Sequence, residues 1–270
     1  MTLSTVAPVV HTIPFTPWRE FFDAWRWQLG EHVTVVGPTG TGKTTLIRAL
    51  LRKRYAAGGA VTVLATKPRD LSLSSWARHD GLTVVRDWPP RPPTLSFPRP
   101  ITLPDGREIP WDMRLMLWPV KTGAQLAVMD SHMRDVFRRA IHDMFWAGNW
   151  TIAAEELLAL STMLGLERDL VTLWTQGRSS GVTVIGGTQR PMNIPLYAYS
   201  QATHLFMFGD NDDRNLDRLK GIGGMNGRAL IDLVRTLPYH DVLWIDTRGR
   251  RDPVRTRVPI RIMKGGDLSA

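Results

Sequence analysis

The sequence predicts a doubly wound α/β domain, a mainly parallel sheet flanked by helices, with one proline-rich insertion. Three observations lead there. Short β-branched and apolar runs alternate with longer stretches at helical spacing along most of the 270 residues. The first unit, His32–Val36, Lys43–Tyr55 and Val61–Ala65, reads strand–helix–strand, which demands a parallel pair and a right-handed crossover. The 43% hydrophobic content can cover both faces of such a sheet and excludes a disordered chain.

Taken in order, Phe15, Trp18, Phe21, Phe22, Trp25 and Trp27 predict an amphipathic helix over Thr16–Leu29, within an N-terminal segment 1–30. Its aromatic face suits the core or a partner. The main domain is expected over residues 31–250. Gly58-Gly59 breaks the chain between the first long helix and the second strand. Prolines at 89, 90, 92, 93, 98 and 100 make the next stretch irregular. Pro104-Asp105-Gly106 predicts a hairpin joining Pro100–Leu103 to Glu108–Leu117, so 86–118 is read as an insertion. A helix follows at Ser131–Ala147, a buried strand at Trp150–Ala154 and helices across Glu155–Gln176. Strands at Val182–Gly187 and His204–Phe208, helices from Asn211 to Arg235 and a strand at Val242–Asp246 complete the domain. Thr247–Ala270 is basic, then polar, and residues 251–270 are expected to form a tail.

Composition narrows the function. There is no cysteine, which excludes a disulfide scaffold, a Cys-ligated metal and a thiol nucleophile. The seven histidines are scattered without zinc-ligand spacing. Asp210, Asp212 and Asp213 read as a solvated turn before a helix. The net charge of +9, from 34 Lys+Arg against 25 Asp+Glu, favours a polyanionic partner. Only six of the basic residues are lysine, which codon usage explains better than any special need for guanidinium. Neither a signal peptide nor a membrane span is legible, so a cytoplasmic protein without membrane insertion is expected.

Gly37-Pro38-Thr39-Gly40-Thr41-Gly42-Lys43-Thr44 fits GxxxxGK(S/T), between an apolar strand and a helix start. Such a loop, with Thr45 after it, cradles phosphates with inward N–H groups and the helix N-terminus. Lys43 would neutralise the β- and γ-phosphates of ATP, and Thr44 would offer its hydroxyl to Mg2+. Trp150–Ala154 runs into Glu155 and Glu156. The first is placed for Mg2+, although a Glu there departs from the usual Asp, and the second is placed to polarise the attacking water. Both would also be stabilised simply as residues at a helix N-terminus. Val182–Gly187 leads into Thr188-Gln189-Arg190-Pro191, where Gln189 could bond both the water and the γ-phosphate.

Together with Gly177-Arg178-Ser179-Ser180-Gly181, Ser200–Phe208, Asp213-Arg214-Asn215-Leu216 and Gly221-Ile222-Gly223-Gly224, these motifs resemble the FtsK–HerA superfamily of DNA-pumping ATPases over about 30–245. The resemblance leaves 86–118 unmatched. It implies a RecA-like core, a homo-oligomeric ring, usually a hexamer, and ATP held between subunits. It also implies an arginine reaching the neighbour's γ-phosphate, with Arg214 the first choice and Arg178 the second. Taken singly, any of the 28 arginines reads equally well as a solvated surface residue. Thr66-Lys67-Pro68-Arg69 departs from the family's acid–Pro–Lys run, and Lys67 is given no role.

The expectation is therefore an ATP-driven motor on double-stranded DNA, for virus genome packaging or mobile-element transfer. It would work in a bacterial host or on a virion, beside a separate portal, capsid or membrane partner. A nucleotide-dependent switch or assembly ATPase acting on a protein is the alternative, favoured by the aromatic segment and the proline-rich insertion. A small-molecule kinase is weaker, because no acceptor lid is visible, and a terminase would need a further nuclease domain.

Overall fold

The computed structural model describes residues 13–90, 100–102, 108–110, 113–120, 123–190, 192, 195–221 and 226–260. Most of the proline-rich stretch, Pro191, residues 222–225 and the last ten residues lie outside them.

Nine strands form one twisted sheet. They are β1 (Val33–Val36), β2 (Ala60–Leu64), β3 (Thr83–Val85), β6 (Arg114–Leu117), β7 (Trp150–Ala154), β8 (Thr183–Thr188), β9 (His204–Phe208), β10 (Asp241–Asp246) and β11 (Val254–Arg257), in the order β11-β10-β9-β1-β8-β7-β2-β6-β3. From β9 to β3 every neighbouring pair is parallel, whereas β10 is antiparallel to β9 and β11 to β10. The mainly parallel doubly wound sheet is thus as expected. Its strand residues alternate between two cores, as a period-two strand covered on both faces must. Val33, Val35, Val61 and Val63 face one core with α1 (Trp18–Ala24), α2 (Lys43–Ala56) and α3 (Leu71–His79). Val36, Ala60, Leu64 and Ile152 face the other. That core is closed by α4 (Leu126–Ala147), α5 (Glu167–Gln176), α6 (Tyr197–Ser200), α7 (Asp213–Leu219) and α8 (Gly227–Thr236).

Several elements depart from the sequence reading. The first helix is only seven residues long, and Trp25, at its C-cap, is already extended. Trp25 turns instead onto the rings of Phe206 and His204, at 5.6 and 5.0 Å between centroids, and Trp27 donates to the Glu31 carbonyl at 2.7 Å. Sheet packing of the indoles outweighs helix periodicity. The hairpin exists as β4 (Pro100–Thr102) against β5 (Glu108–Pro110). Residues 114–117 pair in parallel with β2, so they belong to the main sheet and not to the insertion.

The sequence reading left α3 and β3 out. Asp70 caps α3, its carboxylate accepting from the N–H groups of Ser72 and Leu73 at 2.8 and 3.3 Å. Finally, the basic stretch after 250 continues the sheet as β11. The fully buried Asp241 carboxylate draws it in, 2.8 Å from Arg255 Nη2 and 2.6 Å from Arg257 Nε. Arg248 and Arg251 likewise pair with buried Asp246, at 3.1 and 3.2 Å. These four arginines are therefore held in ion pairs within the fold.

Candidate functional site

In a parallel sheet the carboxyl ends of all strands meet one edge, and the loops leaving that edge form a site. Here β1 leads into Gly37–Gly42, β2 into Lys67, β7 into Glu155 and Glu156, β8 into Gln189 and β9 into Asp210. Topology alone brings together residues as far apart as 37 and 210.

The loop is shaped by glycine. Gly40 and Gly42 sit at φ of +83° and +114°, and Gly42 is the N-cap of α2. Lys43 is buried, and its ammonium donates to the Pro38 carbonyl at 2.6 Å. Thr41 Oγ1 donates to the same oxygen at 2.9 Å. Burial lowers the Lys43 pKa to about 8; Glu156, Glu155 and Asp210 oppose the shift and Lys67 adds to it. Thr45 is buried one residue beyond Thr44 on α2.

The acids meet this loop. The Thr44 hydroxyl adjoins the Glu155 carboxylate, and Glu155 Oε1 is buried without a hydrogen-bond partner. Burial pushes the Glu155 carboxyl up, against the pull of Thr44, Lys67 and Lys43. Glu156 is raised by burial too, against the pull of the Leu158 N–H at the helical start beyond β7 and of the Lys43 and Lys67 ammonium groups. It therefore occupies a helix N-terminus and faces Lys43 at once. Gln189 reaches the loop directly, its Oε1 accepting from Thr39 Oγ1 at 2.7 Å.

The two arginines go to different places. Arg214 lies in the first turn of α7, on the loop edge, exposed, with its N–H donating to the Asp212 carboxylate at 2.9 Å. Arg178 lies in the 3-10 turn before β8, at the opposite edge, beside Gly30. There it lines a cavity of about 380 Å³ with Arg218, Arg248 and Tyr199. Arg178 therefore stands apart from the residues gathered at the loop.

Sequence reasoning passed over other members of the site. Lys67 Nζ lies 3.2 Å from Asp70 Oδ2 and 3.9 Å from Glu155 Oε2. Its signal was its place directly after a buried strand. Asp210, read from the sequence as part of a solvated turn, is instead buried, its carboxylate accepting from Asn215 Nδ2 and the Asp212 N–H, both at 2.9 Å. Asp212 and Asp213 are exposed, and among the described residues no group of three His, Cys, Asp or Glu side chains could hold a metal. Tyr239 and His240 touch the loop from the far side: Tyr239 Oη donates to the Gly40 carbonyl and His240 Nδ1 to that of Thr41, both at 3.0 Å. No local pattern announced them.

The donor set suits Mg2+. Its protein ligands would be hard oxygens, the Thr44 hydroxyl and the unpartnered Glu155 oxygen, with phosphate and water supplying the rest.

Comparison with known proteins agrees on the core. A family model described as "ABC transporter" matches residues 24–114, which hold β1, the loop and α2 but neither Glu155 nor Gln189. The ABC transporter B family member 29, chloroplastic, of Arabidopsis thaliana is 43% identical over 53 residues, 20% of this chain and 8% of that protein. The phosphonates import ATP-binding protein PhnC 2 of Pseudomonas aeruginosa is 37% identical over 65 residues, 24% of each chain. The chain thus spans less than a quarter of the length of these curated relatives. Among solved structures, the genome packaging NTPase B204 from Sulfolobus turreted icosahedral virus 2, in complex with AMPPCP, superposes with a TM-score of 0.56 at 14% identity. That match covers 86% of this chain and 98% of the other. B204, the DNA-packaging ATPase from Sulfolobus turreted icosahedral virus, gives the same TM-score at 14% identity, with 87% and 100% covered. The chain has the fold of a P-loop NTPase. Among the described residues no helix is long and apolar enough to cross a membrane.

Proposed function

We propose that this chain hydrolyses ATP and couples the hydrolysis to movement of double-stranded DNA. The observation that carries the first half is the meeting of Lys43, Thr44, Glu155, Glu156 and Gln189 at one sheet edge. Lys43 neutralises phosphate charge, and the loop N–H groups orient the phosphates. Glu156, its pKa raised by burial, accepts a proton from the attacking water. Gln189 holds the γ-phosphate side of the loop through Thr39 and passes its state to β8. Thr44 and Glu155 would hold Mg2+, which neutralises charge on the transferred phosphoryl group.

The second half is supported by the net charge of +9, the likeness of fold to a DNA-packaging ATPase and the motifs shared with the FtsK–HerA superfamily. Such motors act as rings, and Arg214 is the proposed trans-acting arginine. Arg178, on the far edge, would serve only the site of an adjacent copy. The described aromatics of the first helix lie largely against the chain's own core, with Phe21 and Trp25 buried, which removes one reason for the protein-directed switch.

Steady-state ATP hydrolysis with and without linear double-stranded DNA, at low and moderate salt, tests both halves, with Glu156→Gln as blank. Stimulation by DNA that fades with salt supports the motor. Hydrolysis indifferent to DNA overturns it in favour of a protein-directed ATPase.

A further inference from the structure

β10 runs antiparallel to β9, so the loop that leads into β10 returns to the edge carrying Gly37–Gly42. At its tip Tyr239 and His240 bond two consecutive carbonyls of that loop, those of Gly40 and Thr41. A carbonyl only accepts, so His240 carries its proton on Nδ1. The fit is close. A Cβ on Gly40 would lie 2.7 Å from Tyr239 Oη, and one on Gly42 3.9 Å from His240 Nδ1. His240 itself sits at φ +69°, a conformation that non-glycine residues rarely adopt and that recurs at functional sites. The corner is fixed from outside as well: the His240 carbonyl accepts from Val258 N–H at 3.1 Å and the Pro238 carbonyl from Asp241 N–H at 3.0 Å.

Rigid as its backbone is, the corner presents an open aromatic face. Tyr239 is 63% exposed, with its ring centroid 3.9 Å from that of His240. Its direction matters. Glu155, Glu156 and Gln189 lie on the β8–β7 side of β1, and Tyr239 lies on the β9–β10 side. The hydrolysed end of a triphosphate must face the acids, so the nucleoside end leaves toward Tyr239.

We propose that Tyr239 is the platform on which the nucleobase of the bound nucleoside triphosphate stacks. His240 is its positioning residue, tying the platform to the loop. The proposal rests on reading Gly37–Thr44 as a triphosphate site. Stacking needs only the ring face, whereas the bond to Gly40 needs only the hydroxyl, and the two roles separate by mutation.

The experiment is calorimetric titration of the full chain with Mg2+ and either ATP or inorganic tripolyphosphate, which has phosphates but no base. Tyr239→Ala should weaken ATP about 5- to 150-fold, the range seen when a base-stacking aromatic is removed. It should leave tripolyphosphate within about twofold. Tyr239→Phe, which keeps the face and loses the hydroxyl, should bind ATP nearly as wild type does. Equal weakening of both ligands by Tyr239→Ala would make Tyr239 a strut for the loop and overturn the platform. Unchanged ATP affinity would overturn it too. Wild-type protein that binds neither ligand would overturn the triphosphate reading itself, a failure distinct from the other two.

Discussion

Gly187, in the strand that leads into Gln189, is where the geometry of the site is most exposed to a single methyl group. A Cβ there would stand 2.5 Å from the Glu155 carbonyl oxygen, 3.1 Å from its carbonyl carbon and 3.0 Å from Ile47 Cδ1. The Ile47 terminus can turn away, but the Glu155 backbone cannot move without β7. Gly187→Ala therefore forces β7 and β8 apart at the point where one carries Glu155 and the other Gln189. Overpacking of this kind costs about 1–3 kcal/mol. For a chain this size that is a fall in Tm of roughly 2–12 °C, at about 2–4 °C per kcal/mol. Activity should suffer more, because displacement by about 1 Å costs on the order of 100-fold in turnover. Thermal unfolding and steady-state ATP hydrolysis read the two effects. Gly221→Ala, where an added Cβ meets nothing within 4 Å, is the matched control. A Gly187→Ala protein with wild-type Tm and turnover would refute the close approach of β8 to the Glu155 backbone, and with it the assembly of the site.

Three further outcomes follow from the same geometry. Glu156→Gln should bind ATP normally and hydrolyse it at least about tenfold more slowly, since positioned bases contribute roughly 10²–10⁴-fold; full turnover would move the base elsewhere. The Lys43 ammonium is held at about 8 by burial, and a triphosphate beside it favours the charged form. Above pH 8, then, ATP binding takes up a proton and weakens as pH rises; calorimetry in buffers of different ionisation enthalpy measures this, and binding with no proton uptake at about pH 9 would count against it. Arg214→Ala mixed into wild-type protein should depress hydrolysis more than in proportion to its fraction, if Arg214 completes a neighbour's site. A strictly proportional loss would leave it a surface residue.

Much of this protein is legible in its sequence for a local reason. The run from Val33 to Lys43 declares itself because the glycines and the lysine of a phosphate-binding loop must be adjacent in the chain to be adjacent in space. Trp150–Glu156 and Val182–Gln189 are legible because a buried strand cannot hide its composition, and the residues that follow it are delivered to the sheet edge. Those segments fix the fold class and five of the side chains that meet at the loop. Contacts between distant segments carry no such signature. Arg214 and Arg178 look alike as arginines after a turn, yet the sheet sends one to the loop edge and the other to the opposite edge. Lys67 and Asp210 join the site because β2 and β9 happen to end there. Residues 254–257 leave the tail for the sheet because buried Asp241 needs their arginines. Tyr239 and His240 reach Gly40 and Thr41, 199 residues away in each case, because β10 reverses direction. Strand order and direction are properties of how the apolar faces pack together, so the chemistry of the loop was written in the sequence and its company was decided by the sheet.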